Sequence, residues 1–207
     1  MDRRPLKTRD KAWPKLLARI LLKCGLTPNA VSVLSLGFAV LAGWALVTQS
    51  HHAWGLVVAV AGIQFRLLCN LLDGLMAVEG GAKTKTGELF NELPDRFADG
   101  IILTAVGYAA GIPWLGWLAT ALALLTAYIR ALGASLGCGQ DFSGPGAKPH
   151  RMFVLSVGCL AQAVVVYTEA ESPVLLVALW SVVGLTAVTA LRRMMNLARA
   201  LHAKQTP

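Results

Sequence analysis

The sequence predicts an all-α integral membrane protein: six transmembrane helices preceded by an N-terminal amphipathic helix at the interface. Three observations carry that expectation. Of 207 residues, 56% are hydrophobic and only 14% charged, with a mean hydropathy of +0.59; a soluble domain of this length carries more charge. The apolar residues gather into stretches long enough to cross a bilayer. The net charge of +8 is unevenly spread, which suits membrane topology rather than nucleic-acid binding, so no nucleic acid is expected as a partner. A single membrane-embedded domain over residues 1–207 is the expected organisation, with residues 1–25 as its basic amphipathic segment.

The first 23 residues hold Arg3, Arg4, Lys7, Arg9, Lys11, Lys15, Arg19 and Lys23. Trp13, Leu16, Leu17, Ile20 and Leu21 recur at helical spacing. That pattern is an amphipathic helix in the headgroup region, its basic side toward anionic lipid. For residues 1–11 a solvated basic tail is the alternative. No cleavable signal peptide is expected, because Arg19 interrupts residues 16–22 and no small-residue cleavage site follows. Thr27 caps and Pro28 opens the helix of the first span, residues 30–47. His51 and His52 fall in a short polar turn as ordinary loop histidines.

The second span covers residues 53–77 and the third residues 87–111. The third is polar in its first half and apolar in its second, so plain hydropathy scores it poorly. Its Pro94 has no N–H for the carbonyl of Phe90; the helix bends there, or that oxygen turns toward a cation. The fourth span, residues 114–136, carries Arg130, and a Gly-rich polar loop follows over residues 137–149. The fifth and sixth spans are residues 152–167 and 173–191. Arg192, Arg193, Arg199 and Lys204 then leave the membrane. Cys24, Cys69, Cys138 and Cys159 match no zinc or haem spacing and are expected as four buried free thiols.

Lys and Arg collect in the N-terminus, residues 80–87, residues 137–151 and the C-terminus. The opposite turns, residues 48–53, 111–113 and 168–172, contain none. Both termini are therefore expected on the cytoplasmic side of the cytoplasmic (inner) membrane, in a multi-pass protein.

Residues 70–99 are where chemistry is expected. Asn70, Asp73, Asn91, Asp95 and Asp99 lie in or beside these apolar segments. A charge at the centre of a membrane helix costs roughly 2.5–3.5 kcal/mol on insertion scales, so a cluster of such groups reads as a site. Asn70 and Asp73 share a helix face, and Gly87, Asn91, Asp95 and Asp99 form a ladder in steps of four. The loop of residues 79–86 is short, so the two helices are antiparallel neighbours whose polar faces meet near one membrane surface, the cytoplasmic one. Oxygen ligands from two facing helices suit a hard cation such as Mg²⁺. Arg66, four residues before Asn70, either binds a substrate phosphate or neutralises the cluster as a structural partner. Asp99 either restores a charge to the cluster or pairs with Arg66 or Arg96.

This stretch resembles the CDP-alcohol phosphotransferase family, whose motif is D-x2-D-G-x2-A-R, a short loop, then G-x3-D-x3-D. Here it reads Asn70-x2-Asp73-Gly74-x2-Ala77-Val78, a loop, then Gly87-x3-Asn91-x3-Asp95. The spacing matches throughout. Asn70 and Asn91 stand in place of two aspartates, and Val78 in place of the arginine. The family's four carboxylates bind two metals and the last is the general base. The resemblance therefore implies Asp73, Asp95, Asn70 and Asn91 around one or two Mg²⁺ or Mn²⁺ ions, with Asp95 as the catalytic base. It implies Gly74, Ala77, Gly87 and Asn29 on the nucleotide or donor side, and Arg130, Lys148 and Arg66 as phosphate or acceptor ligands. For Gly74 and Ala77 close helix packing is the alternative use; for Arg130 and Lys148 it is positive-inside anchoring, which suffices for Arg151 and His150.

The expected activity is transfer of a phosphatidyl (substituted phosphate) group from a CDP-diacylglycerol-like donor to a small alcohol or sugar-phosphate acceptor. CMP is released, in phospholipid biosynthesis, and a homodimer is expected. The alternative is a catalytically impaired homologue that binds lipid or nucleotide or supports a partner protein. A small transporter is a third reading, against which stands the clustering of polar groups at one end of the spans.

Overall fold

The computed structural model describes residues 11–79, 86–168 and 172–205, apart from the side chains of Glu79, Glu88, Asn91 and Gln205. Its regular elements are α-helices: α1 (Ala12–Lys23), α2 (Pro28–Gln49), α3 (Ala53–Glu79), α4 (Gly87–Ala109), α5 (Pro113–Ser135), α6 (Lys148–Tyr167) and α7 (Val174–Gln205). Among the described residues, α2, α3, α5, α6 and α7 are long and apolar enough to cross a membrane. The expected six spans thus become five plus α4. At 23 residues α4 has the length, but Glu88, Glu92, Asp95, Arg96 and Asp99 crowd its first half. The basic N-terminal tail (residues 1–10) and the turns at residues 80–85 and 169–171, used above for orientation, lie outside the described residues.

The chain divides into two compact units, residues 5–102 and residues 103–207, with the break inside α4. In the first unit, α2 starts as its sequence dictates. Thr27 Oγ1 accepts a hydrogen bond from Ala30 N at 3.2 Å, and Pro28 opens the helix. Small buried residues (Ala39, Ala42, Gly43 and Ala45) line α2. They let α3 approach so closely that a Cβ on Gly62 would stand 2.8 Å from the carbonyl oxygen of Phe38. The α1 helix packs on α3: Ala18, with Leu17, Leu21 and Leu22, joins the core of Val31, Cys69, Leu71, Leu72, Leu75 and Met76. The expected lipid-facing stripe is therefore divided. Leu17 and Leu21 turn to protein, while Trp13, Leu16 and Ile20 stay exposed. The helix is apolar on two sides, which a single interfacial stripe did not anticipate. His51 and His52 are exposed, and their rings lie tilted against each other with centroids 4.1 Å apart.

In the second unit, α7 packs against α5 and α6, and Gly107 and Gly116 let the backbones of α4 and α5 meet. The loop between α5 and α6 is bound to its surroundings at several points. Gly146 N donates to Thr189 Oγ1 at 2.7 Å, and Arg151 Nη1 to Gly146 O at 2.7 Å. Arg193 donates from Nε to Ser143 O and from Nη1 to Thr126 O. Asn196 Nδ2 donates to Asp141 Oδ2 at 2.9 Å. Arg151, expected as a positive-inside anchor, and Arg193, expected to leave the membrane, are thus both buried in the protein (2% and 6% exposed). The loop's unpaired carbonyls need donors, and these two arginines are near enough to supply them. The cysteines also depart from expectation: Cys69 and Cys159 are buried, but Cys24 is exposed and Cys138 half-buried, because both follow the C-terminal turn of a helix.

Gly146 has no room for a side chain, since a Cβ would collide with the backbone of Leu185. Gly146→Ala should therefore destabilise the protein by about 1–3 kcal/mol, read as a lower thermal midpoint in detergent. An unchanged midpoint would mean the loop is not seated on α7 in this way.

Candidate functional site

The polar residues of α3 and α4 meet in a register that the four-residue spacing sets up. Arg66 Nη2 donates to Asp99 Oδ1 at 2.6 Å, and Asn70 Nδ2 donates to Asp95 Oδ1 at 2.6 Å. The pairs step by four along each helix in opposite directions, so α3 and α4 run antiparallel with their polar faces together. Arg66 also donates to Asp95 O at 3.2 Å and lies 3.7 Å from Asp95 Oδ1. Of the two roles open to Arg66 in the sequence, the structure gives it the partner contacts. Asp99 takes the Arg66 pairing, while Arg96 pairs along α4 with Glu92 at 2.8 Å.

Asp73 is buried on α3, and its Oδ2 accepts a 2.6 Å hydrogen bond from Ser32 Oγ of α2. Ser32 escaped the sequence reading. The available signal was its place three residues after Asn29, on the same face of α2. Gly74, Ala77, Gly87 and Asn29 are all half-buried. Asn91 belongs to α4, but its side chain lies outside the described residues, as does that of Glu88.

Arg130 and Lys148 belong to the second unit. Arg130 Nη1 donates to Gln140 Oε1 at 3.0 Å, and its guanidinium stands 5.3 Å from the centre of the Phe142 ring. Lys148 is the half-buried first residue of α6. A cavity of about 240 Å³ in this unit is lined in part by Gln140, Asp141, Arg193 and Asn196. Burial pushes the Asp141 carboxyl up, but hydrogen bonds from Ser143 and Asn196 and the charge of Arg193 outweigh it, and the group sits below the ordinary carboxylate range.

The described candidate donors on α3 and α4 are oxygens: the carboxylates of Asp73 and Asp95 and the carboxamide of Asn70. That chemistry fits a hard divalent ion and not a soft one. Among the described residues no three carboxylate, imidazole or thiol side chains gather as ligands.

Fold and site together define a helical membrane protein with a polar cation-and-anion cluster between two of its helices. No family model matches the chain, but individual proteins do. It is 29% identical over 157 residues to a phosphatidylinositol phosphate synthase of Mycobacteroides abscessus, covering 70% of this chain and 66% of that protein. It is 26% identical over 202 residues to one of Corynebacterium glutamicum, covering 91% and 85%. It is 23% identical to an archaetidylinositol phosphate synthase of Pyrococcus horikoshii, covering 72% and 77%. The chain spans just under two thirds of the length of the first mycobacterial relatives it matches. Its fold is that of Mycobacterium tuberculosis phosphatidylinositol phosphate synthase solved with manganese and citrate, at a TM-score of 0.73 and 22% identity over 89% of this chain and 88% of that one. The same protein with CDP-DAG bound gives 0.72. With the motif spacing, these likenesses support the resemblance to the CDP-alcohol phosphotransferase family.

Ser32 and Asp73 should be energetically coupled. In a double-mutant cycle of Ser32→Ala and Asp73→Asn, read by thermal denaturation in detergent, the expected coupling is about 1–2 kcal/mol. Additive effects would show that the α2–α3 hydrogen bond contributes nothing in solution.

Proposed function

We propose that this protein is a CDP-alcohol phosphatidyltransferase of phospholipid biosynthesis. It moves a phosphatidyl or similar substituted-phosphate group from a CDP-linked lipid donor to an alcohol and releases CMP. The observation that carries this reading is the antiparallel α3–α4 register, which sets Asp95 against Asn70, three residues from Asp73. The names of the relatives, all synthases of inositol-phosphate lipids, support it. They also make a phosphorylated polyol the first acceptor to test.

In this reading the acceptor oxygen attacks the phosphatidyl phosphorus, and the P–O bond to CMP breaks. The Asp95 carboxylate receives the proton of the attacking hydroxyl. Asp73 and Asp95 would hold Mg²⁺ or Mn²⁺, with Asn70 and Asn91 as neutral ligands. When bound, the ion offsets the charge of the diphosphate and of the departing CMP. Ser32 fixes the rotamer of Asp73, which keeps that ligand in place before any ion arrives. Gly74, Ala77, Gly87 and Asn29 provide the low-bulk side for cytidine. Arg130, Lys148 and Arg66 bind phosphate oxygens. The expected homodimer and the single-domain organisation of residues 1–207 remain part of the reading.

Purified protein given CDP-diacylglycerol, Mn²⁺ and a panel of polyol phosphates should release CMP, and Asp73→Asn should lower the rate at least 100-fold. CDP binding without CMP release from any acceptor would replace the enzyme with a nucleotide-binding homologue.

The site is proposed to face the cytoplasm, with both termini. The exposed Cys24 and half-buried Cys138 serve as native probes, Cys69 and Cys159 being buried. A membrane-impermeant maleimide should label Cys24 in inverted membrane vesicles and leave it unmodified in intact cells. The reverse pattern would invert the topology.

A further inference from the structure

Arg66 is the one fully buried guanidinium on α3, and it sits among carboxylates. Its Nη2 makes the contacts to Asp99 and Asp95. Its Nε and Nη1 are buried and have no hydrogen-bond partner among the described residues. Buried N–H groups of a cation are rarely left so, and an anionic oxygen is the group that satisfies them best. Beside Arg66, Asn70 reaches Asp95 Oδ1 at 2.6 Å. Two carboxylates at that separation would need a cation or a proton between them. The carboxamide makes the same contact as a plain hydrogen bond and needs neither.

The charges agree with that geometry. Arg66 and Asp99 cancel as a pair, as do Arg96 and Glu92. Asp73 and Asp95 remain, with a formal charge matched by a single divalent ion. A second ion would meet a guanidinium already lying against Asp95 and Asp99, and like charges in a low-dielectric setting repel strongly.

We propose that Arg66 fills the place of a second cation in this site. The ligand-free protein then takes one divalent ion, at Asp73 and Asp95, and Arg66 gives its remaining N–H groups to a phosphate oxygen of the nucleotide. This deepens the transferase reading and rests on it. Arg66 is a fixed charge that cannot dissociate, so part of the site's electrostatics is independent of metal supply.

The test uses the full chain in detergent, with Mn²⁺ followed by electron paramagnetic resonance and calorimetry, and CDP titrated in the presence of chelator. Wild type should bind one Mn²⁺ per chain and also bind CDP without metal. Arg66→Gln frees Asp95 and Asp99, and should bind two Mn²⁺ or bind the first at least tenfold more tightly. Should that variant fail to fold, Arg66→Gln with Asp99→Asn removes both members of the buried pair together. That double variant should bind one Mn²⁺ at least fivefold more tightly, because Asp95 has lost its cationic neighbour. Its metal-free CDP affinity should fall at least fivefold. Two Mn²⁺ bound by wild type would overturn the inference and leave the transferase reading standing. So would a double variant that binds Mn²⁺ and CDP as wild type does. No Mn²⁺ bound by wild type would remove both.

Discussion

The buried contact between α3 and α4 is the constraint around which the site is arranged. Arg66 with Asp99, and Asn70 with Asp95, place charged and polar groups inside a bundle of apolar helices. Desolvating such groups is costly, and only close, well-directed partners offset it. Once the pairs form, α3 and α4 can neither slide nor rotate without stranding a charge. The register of the two helices and the position of Asp95 thus follow from one requirement.

Ser32 extends that requirement to α2. Its hydroxyl holds Asp73 Oδ2, and the small residues of α2 bring the helix close enough for the contact. Packing and chemistry meet here: Ala39, Ala42 and Gly62 matter to the site because they set the separation at which a short serine side chain can reach across. The second unit uses the same economy differently. Arg151 and Arg193 bind the carbonyls of the loop before α6, so the backbone that leads into Lys148 is held in one conformation.

At position 70 the structure gives the carboxamide a physical use. A carboxylate at position 70 would face Asp95 at hydrogen-bond distance and depend on a cation between them. Asn70 removes the dependence and keeps the contact. Arg66 supplies positive charge from within the chain. The site is consequently assembled by its own side chains, and a divalent ion has fewer charges to neutralise than it would meet in an all-carboxylate set.

Composition and periodicity by themselves determined the helical membrane fold, the places of the helices and the four-residue ladder, because length, hydropathy and the 100° advance of a helix are local properties. Thr27 and Pro28 announced the start of α2 for the same reason. The spacing also placed Asp95 opposite the polar face of α3, since a short loop makes neighbours of α3 and α4. What only the tertiary structure decided was partnership. Asp99 was open to Arg66 or Arg96 until α3 and α4 met with Arg66 2.6 Å from Asp99. Arg193 and Arg151 read as surface charges until the loop's carbonyls drew them inside. Ser32 was one small residue among many on α2 until α3 packed against it. Such choices depend on which groups are stranded without water once the helices meet, and the partners of Arg66, Ser32 and Arg193 lie tens of residues away in sequence.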